Sequence, residues 1–279
     1  MSVQVVTDST CDIPREMAGE LGIRIVPIYV RFGNSIYRDG EDIDREEFYH
    51  RLKVSPVHPA TSQPTPEDFK KIYGEYCHTA EGIVSIHISS RISGTCNSAN
   101  IARKMLVSRC RIEVIDSKFN SGGLALVAMA AARLARAGKD METILAETRR
   151  AISQVRMYGV FETMKYLARG GRVNRAIVMA ASFLKVMPLL TFRDGEIIRA
   201  GLVRSLNRGM DKICRFVAGQ KDITELVIVH SAIPERAEIL KKRLAALFPE
   251  EKIETLELGA GLGVHGGPGV LLVALRQGS

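Results

Sequence analysis

A chain of 279 residues, 46% hydrophobic and 25% charged, has ordinary globular composition and enough length for two cores. Its longest uncharged apolar run, residues 124–132, is far short of the roughly 20 residues a bilayer-spanning helix needs, and its N-terminus lacks the pattern of a secretion signal, so a cytoplasmic location is expected. Net charge is +8, with the excess concentrated in residues 101–219 (22 basic against 9 acidic), a block suited to solvated helix faces or to contact with nucleic acid, anionic lipid or an acidic protein.

Strand-like runs recur at residues 3–6, 23–30, 83–88, 112–115, 157–161, 189–192, 197–203, 226–229, 253–258 and 270–275. Helical segments separate many of them, and such alternation predicts an α/β fold. Two helix starts are punctuated: Asp44 stands three residues before Glu47, and Thr65 is followed by Pro66. Asp194-Gly195 between two β-rich runs predicts a hairpin. Asp8-Ser9 and Asp116-Ser117 both close a strand, as two neighbours in one parallel sheet would. A domain boundary is expected near residue 160, after the helical stretch 140–156, giving domains 1–160 and 161–279.

Cys11, Cys77, Cys96, Cys110 and Cys214 are odd in number, and no two have the spacing of a zinc or redox site. The six histidines are equally dispersed. Reduced core thiols and no protein-held metal are expected.

Three stretches carry chemistry. In residues 58–66, HPATSQPTP, three prolines stiffen an extended loop that presents Thr61 and Ser62; the stretch also reads as a connector capped by Thr65. In residues 85–100, SIHISSRISGTCNSAN, the hydroxyls of Ser89, Ser90, Ser93, Thr95 and Ser98 gather around Gly94 where a strand gives way to a helix. Hydroxyls beside unpaired N–H groups and a helix's positive end make an anion cradle for phosphate or carboxylate, unless Ser93 serves only as the N-cap. Residues 261–266, GLGVHG, match the dinucleotide string G-x-G-x-x-G, but only 13 residues follow, too few for the ribose-binding acid that motif requires. His265-Gly266-Gly267-Pro268-Gly269 is similar to the oxyanion loop of α/β-hydrolases, yet no serine is flanked by glycines two positions away on both sides. His265 is left in a glycine-rich turn, either structural or a place where backbone approaches a ligand closely.

Taken in order, Val6-Thr7-Asp8-Ser9-Thr10, Thr61-Ser62-Gln63-Pro64, Ser89-Ser90 ahead of Ser93-Gly94-Thr95, Tyr166-Leu167 ahead of Gly170-Gly171-Arg172, and His265 ahead of Gly267-Pro268-Gly269 span nearly the whole chain. Together they resemble the DegV family of fatty-acid-binding proteins. The resemblance implies two α/β domains, an N-terminal one with a parallel, Rossmann-like sheet and a C-terminal mixed one, holding one long-chain fatty acid in a tunnel between them. It implies an acyl-carrying subunit without catalysis of its own, which presents the carboxylate to a separate ATP-using fatty-acid kinase subunit. By position Thr61 and Ser93 look like the carboxylate ligands, with Ser62, Gly94 and Thr95 adjoining, and His265 and Arg204 are similar to polar residues at the tunnel mouth. No cofactor beyond the bound fatty acid is implied. Cys96, where relatives often carry an aromatic residue, and Arg91, where charge is infrequent, depart from the pattern.

With that reading, Arg169, Arg172, Arg175, Arg204 and Arg208 form a docking face for an acidic kinase subunit or for transient contact with an anionic membrane. Nucleic acid is not expected, because the basic segment lacks interleaved aromatics: there is no tryptophan and aromatic content is 6%. The competing reading is an enzyme for an anionic small molecule, with Asp8, Ser93 and His265 meeting in one cleft.

Overall fold

The computed structural model describes residues 3–106, 110–172 and 186–278. Their strands are β1 (Gln4–Asp8), β2 (Ile23–Val26), β3 (Tyr29–Phe32), β4 (Ser35–Arg38), β5 (Ala60–Ser62), β6 (Gly82–His87), β7 (Arg111–Asp116), β8 (Val155–Phe161), β9 (Met187–Arg193), β10 (Glu196–Val203), β11 (Ile223–His230), β12 (Ile253–Glu257) and β13 (Val270–Gln277). They build three sheets.

The first sheet runs β2-β1-β6-β7 and is parallel throughout. Its strand β6 is buried at every position, as befits a parallel strand covered on both faces. Both Asp-Ser pairs close strands of this sheet, on β1 and β7. One face packs on helices Pro66–Tyr76 and Thr95–Met105 through Phe69, Tyr73 and Ala99. Against the other lies helix Ser121–Arg136, apolar around nearly its whole circumference.

A helix hydrophobic on all sides must be buried on all sides, and this one lies between two sheets. Its residues share one core with Val5 and Ile86 of the first sheet and with Val227, Val229 and Ala274 of the second. The second sheet runs β10-β9-β8-β13-β11-β12 and is antiparallel except for the pair β11–β12. Its far face packs on helices Leu206–Ala218 and Pro234–Leu244. The boundary expected near residue 160 falls within a strand. It passes through β8, which pairs with β9 and β13, so β8 belongs wholly to the second sheet.

The run expected as one strand over 23–30 is broken at Pro27, which has no N–H to give a ladder. β2 stays in the parallel sheet, while β3 forms a third, antiparallel sheet in the order β4-β3-β5. Neither β4 nor β5 was among the expected strands. The Asp-Gly hairpin is present: Asp194 (φ 51°) and Gly195 (φ 84°) join β9 to β10 in the left-handed conformations a two-residue turn requires. Thr65 and Asp68 form a reciprocal capping box that spans Pro66 at the first helical position, and the Asp44 carboxylate accepts from Glu47 N. None of the five cysteines is in a disulfide. Cys77 and Cys110, far apart in sequence, nevertheless meet: burial and the neighbouring Cys77 thiol push Cys110 up to about 12.

Candidate functional site

Parallel α/β sheets leave room for ligands beyond the carboxyl ends of their strands. Here that room is a cavity of about 540 Å³, reached by Thr10 after β1 and by the segment 88–94 after β6. β5, the helix Ala260–Gly266 and Ile197 of β10 supply further walls, together with Ile28, Gln63, Asn120, Leu167 and Arg172.

Thr61 sits at the centre of β5, opposite Val30. Its Oγ1 lies 2.8 Å from His265 Nε2. Burial, then the charge of Arg172 and the neighbouring His58, lower the His265 imidazole to about 4, so it is neutral at physiological pH. Its other nitrogen, Nδ1, is buried without a partner and lies against Gly170, where a Cβ would overlap it. An unpaired buried acceptor is tolerated better than an unpaired buried donor. The proton therefore belongs on Nε2, which donates to Thr61 Oγ1 and leaves the threonine's own hydrogen free to donate into the cavity.

Ser93 is the second hydroxyl. Its Oγ is 2.8 Å from Thr95 Oγ1 and accepts from Thr95 N at 3.3 Å. The N-cap of helix Thr95–Met105 is Gly94 and not Ser93. Gly94 lies so close to Gln63 that a Cβ there would overlap the amide, and Gln63 Nε2 donates to Ser98 Oγ at 3.2 Å. The proline-stiffened loop and the serine-rich turn are thereby held face to face.

Beside this cavity, along the inner face of the second sheet, lies a second and mainly apolar one. Because side chains alternate along a strand, Met157, Gly159 and Phe161 of β8 all face it. Gly159 stands between Leu190 of β9 and Leu272 of β13, so the middle of that row carries no side chain. This apolar cavity is narrow, about 60 Å³, and shares Asn120, Leu167, Ile197, Leu262 and His265 with the polar cavity.

Of the site residues expected from sequence, Thr61, Ser62, Ser93, Gly94, His265 and Arg172 line the polar cavity. Thr95 is fully buried behind Ser93. Arg204 lines neither cavity. Arg175 lies outside the described residues. Arg91 lines the polar cavity, whereas the Cys96 thiol turns away to Ile88 O at 3.5 Å.

The trio Asp8, Ser93 and His265 does not assemble. Asp8 Oδ2 accepts from Ile88 N and pairs with His87 Nδ1, both at 3.0 Å, while Oδ1 accepts from the amide and hydroxyl of Thr10. His87 Nε2 in turn meets Ser85 Oγ at 2.6 Å, and Tyr73 donates to Ser85. Ser85, His87 and Asp8 thus have the order of a hydrolytic triad, but none has any solvent exposure. They fix the ends of β1 and β6 beneath the cavity.

Sequence reasoning missed the apolar wall, Asn120 and Ile197. The wall comes from residues of three strands, β8, β9 and β13, whose adjacency is a tertiary property. Among the described residues no group of three His, Cys, Asp or Glu side chains could hold a metal ion, and no helix is long and apolar enough to cross a membrane.

A family model described as "Uncharacterised protein, DegV family" matches residues 2–277. The chain belongs to the DegV family. A DegV domain-containing protein of Caldanaerobacter subterraneus is 34% identical over 276 residues, 95% of each chain. Among solved structures, a DegV family protein from Thermus thermophilus, described by its fatty acid binding, has TM-score 0.90 at 32% identity and covers 99% of this chain and 100% of its own. DegV from Bacillus subtilis, described as a fatty acid binding protein, has TM-score 0.89 at 29% identity over the full length of both chains. A stearic-acid-binding protein from Eubacterium ventriosum has TM-score 0.89 at 25% identity, covering 99% of this chain and 98% of its own. The mixed α/β architecture of this DegV chain is shared by these structures.

Proposed function

We propose that this DegV protein binds one long-chain fatty acid, with its carboxylate at Thr61 and Ser93 and its tail in the apolar cavity, and presents it to a separate ATP-using kinase subunit in the cytoplasm. The observation that carries this reading is that a hydroxyl-lined cavity and an apolar one lie side by side, with His265 and Leu262 in the walls of both. Burying 14 to 16 methylenes at roughly 0.8 kcal/mol each supplies on the order of 10 kcal/mol before entropy costs. The tail can provide most of the affinity. The apolar cavity, about 60 Å³, is smaller than a long acyl chain, so seating the tail requires side chains of its lining to move.

The head group needs orientation more than strength. Thr61, polarised by the Nε2–H of His265, donates to one carboxylate oxygen, and the Ser93–Thr95 pair has one hydroxyl hydrogen left to donate to it. Neutral donors leave the carboxylate more nucleophilic than a bidentate arginine would. In the reaction proposed, a carboxylate oxygen attacks the γ-phosphorus of ATP on the partner, the bond to the β-phosphate oxygen breaks, and ADP leaves. This chain supplies no catalytic group of its own. Arg172, on the cavity rim, and the exposed Arg169 begin a basic face for an acidic kinase surface, with anionic membrane as a transient contact.

Denaturing the purified protein, extracting it with organic solvent and weighing the extract by mass spectrometry tests the reading. A stoichiometric fatty acid is expected. Absence of any, together with no binding of added palmitate, would overturn it.

A further inference from the structure

We infer that Asp12 and Asp39 are positioning residues for His265, gripping the start of the short helix that carries it and so holding its ring against Thr61. The helix Ala260–Gly266 has seven residues, and its opening N–H groups need acceptors. Gly259 N donates to Asp12 Oδ1 at 2.7 Å, Ala260 N to Asp39 Oδ1 at 3.0 Å, and Gly261 N to Asp39 Oδ2 at 3.1 Å. These N–H groups are therefore not available to a nucleotide phosphate, which disposes of the GLGVHG string as a dinucleotide site.

Each carboxylate is itself anchored. Ser121 Oγ donates to Asp12 Oδ2 at 2.6 Å, and Ser9 Oγ donates to Asp39 Oδ2 at 2.9 Å while accepting from Ile28 N. Just upstream, Arg45 donates to Glu257 O and Asp12 O, both at 3.0 Å, and Tyr49 donates to Leu258 O at 3.1 Å. Gly261 and Gly263 lie so close to Ile28 and Phe48 that a Cβ on either would overlap them. The start of the helix is thus fastened by side chains on one face and by close packing on another.

The connection to the site is mechanical. Asp39 directly follows β4, in the same small sheet whose β5 carries Thr61. That sheet therefore holds the helix at its start through Asp39 and near its end through the Thr61–His265 contact. A neutral cap would have satisfied the N–H groups without burying charge. Instead two carboxylates are buried near one another, with Arg45 as the cation beside them and Ser121, Tyr49 and Cys11 packed around Asp12. Burial pushes both carboxyls up, Asp12 to about 7, although the N–H and hydroxyl donors act against it. Retaining acids here, and not a serine or asparagine, is what a rigid two-oxygen clamp on successive peptides requires: Asp39 engages both Ala260 and Gly261.

The inference uses the fatty-acid reading for only one of its two readouts. The test compares wild type with Asp39→Ala and Asp39→Asn by nitrogen-15 NMR of the His265 ring and by palmitate titration. In wild type a single Nε2–H tautomer is expected. Asp39→Ala should replace it with averaged ring signals and weaken palmitate roughly tenfold or more. Asp39→Asn, whose amide oxygen still accepts one N–H, should recover part of both. A folded Asp39→Ala with wild-type ring signals and affinity would overturn the inference. Should that variant not fold, Ser9→Ala, which removes only the anchor of Asp39, decides it, since unchanged His265 signals there would also overturn it. Failure of wild type to bind palmitate, with His265 still responding to Asp39→Ala, would remove the fatty-acid reading and leave the positioning role standing.

Discussion

Gly170 and His265 are in contact so close that any side chain at 170 would occupy the place of the imidazole Nδ1. Gly170 ends the short helix Lys165–Gly170, and the motif Gly170-Gly171-Arg172 thereby acquires a physical reason: the first glycine admits the ring, the second (φ 66°) turns the chain, and Arg172 reaches the cavity.

Gly170→Ala should push His265 away from Thr61. Overpacking of this kind costs roughly 1–3 kcal/mol. The expected result is a folded protein with weaker palmitate binding, read by titration calorimetry, and a lower Tm, read by thermal denaturation. Wild-type values for both would mean that the ring has room to move.

Replacing Thr61 separates hydrogen bonding from shape. Thr61→Val removes the hydroxyl and leaves His265 Nε2–H without its acceptor, an omission worth about 1–3 kcal/mol. Thr61→Ser keeps the hydroxyl. Palmitate affinity should therefore fall in the valine variant and stay near wild type in the serine variant, and equal affinities in the two would count against a carboxylate contact here.

Asp12 gives a pH signature with a defined sign. Its carboxyl is raised from 3.8 to about 7 in the folded protein, chiefly by burial. The folded state thus holds a proton that the unfolded chain releases, and the stabilisation is full below pH 3.8 and is lost as pH rises through about 7. The Tm of Asp12→Asn should lack the part of the decline between about pH 4 and 7 that Asp12 gives the wild type. Parallel Tm profiles would contradict an elevated Asp12.

His265 has the opposite sign. Its imidazole is lowered from 6.5 to about 4, so the unfolded chain binds a proton before the folded one does, and stability is lost as pH falls from 6.5 toward 4. Above pH 6.5 its charge does not change. Palmitate binding should accordingly show no step from His265 between pH 7 and 8, measured by titration at fixed ionic strength.

Much of the fold is legible in the sequence because its signals are local. Each of the ten apolar runs lies on one or more strands, Asp194-Gly195 turns the hairpin, and Asp44 and Thr65 cap their helices. The hydroxyls of Thr61 and Ser93 were legible for the same reason, since proline restriction and a strand-to-helix change are properties of neighbouring residues. What could not be read depends on sheet order. β13, the last of the described strands, inserts between β8 and β11, and that insertion aligns Leu272, Gly159 and Leu190 into the apolar wall. Nor does any local pattern bring Asp39 to the peptides of Ala260 and Gly261, more than 200 residues away. Only the competing enzyme reading puts Asp8 in the cleft; a strand-end position suits a site equally well from either side of the backbone, and the Asp8 side chain turns inward to His87.

The most direct measurement is a crystal structure of the protein with palmitate bound. The account predicts one carboxylate oxygen within about 2.5–3.0 Å of Thr61 Oγ1 or Ser93 Oγ, and the tail running between His265 and Ile197 toward Met157 and Leu272. A carboxylate seated away from both hydroxyls, or a tail lying outside the wall formed by β8, β9 and β13, would contradict it.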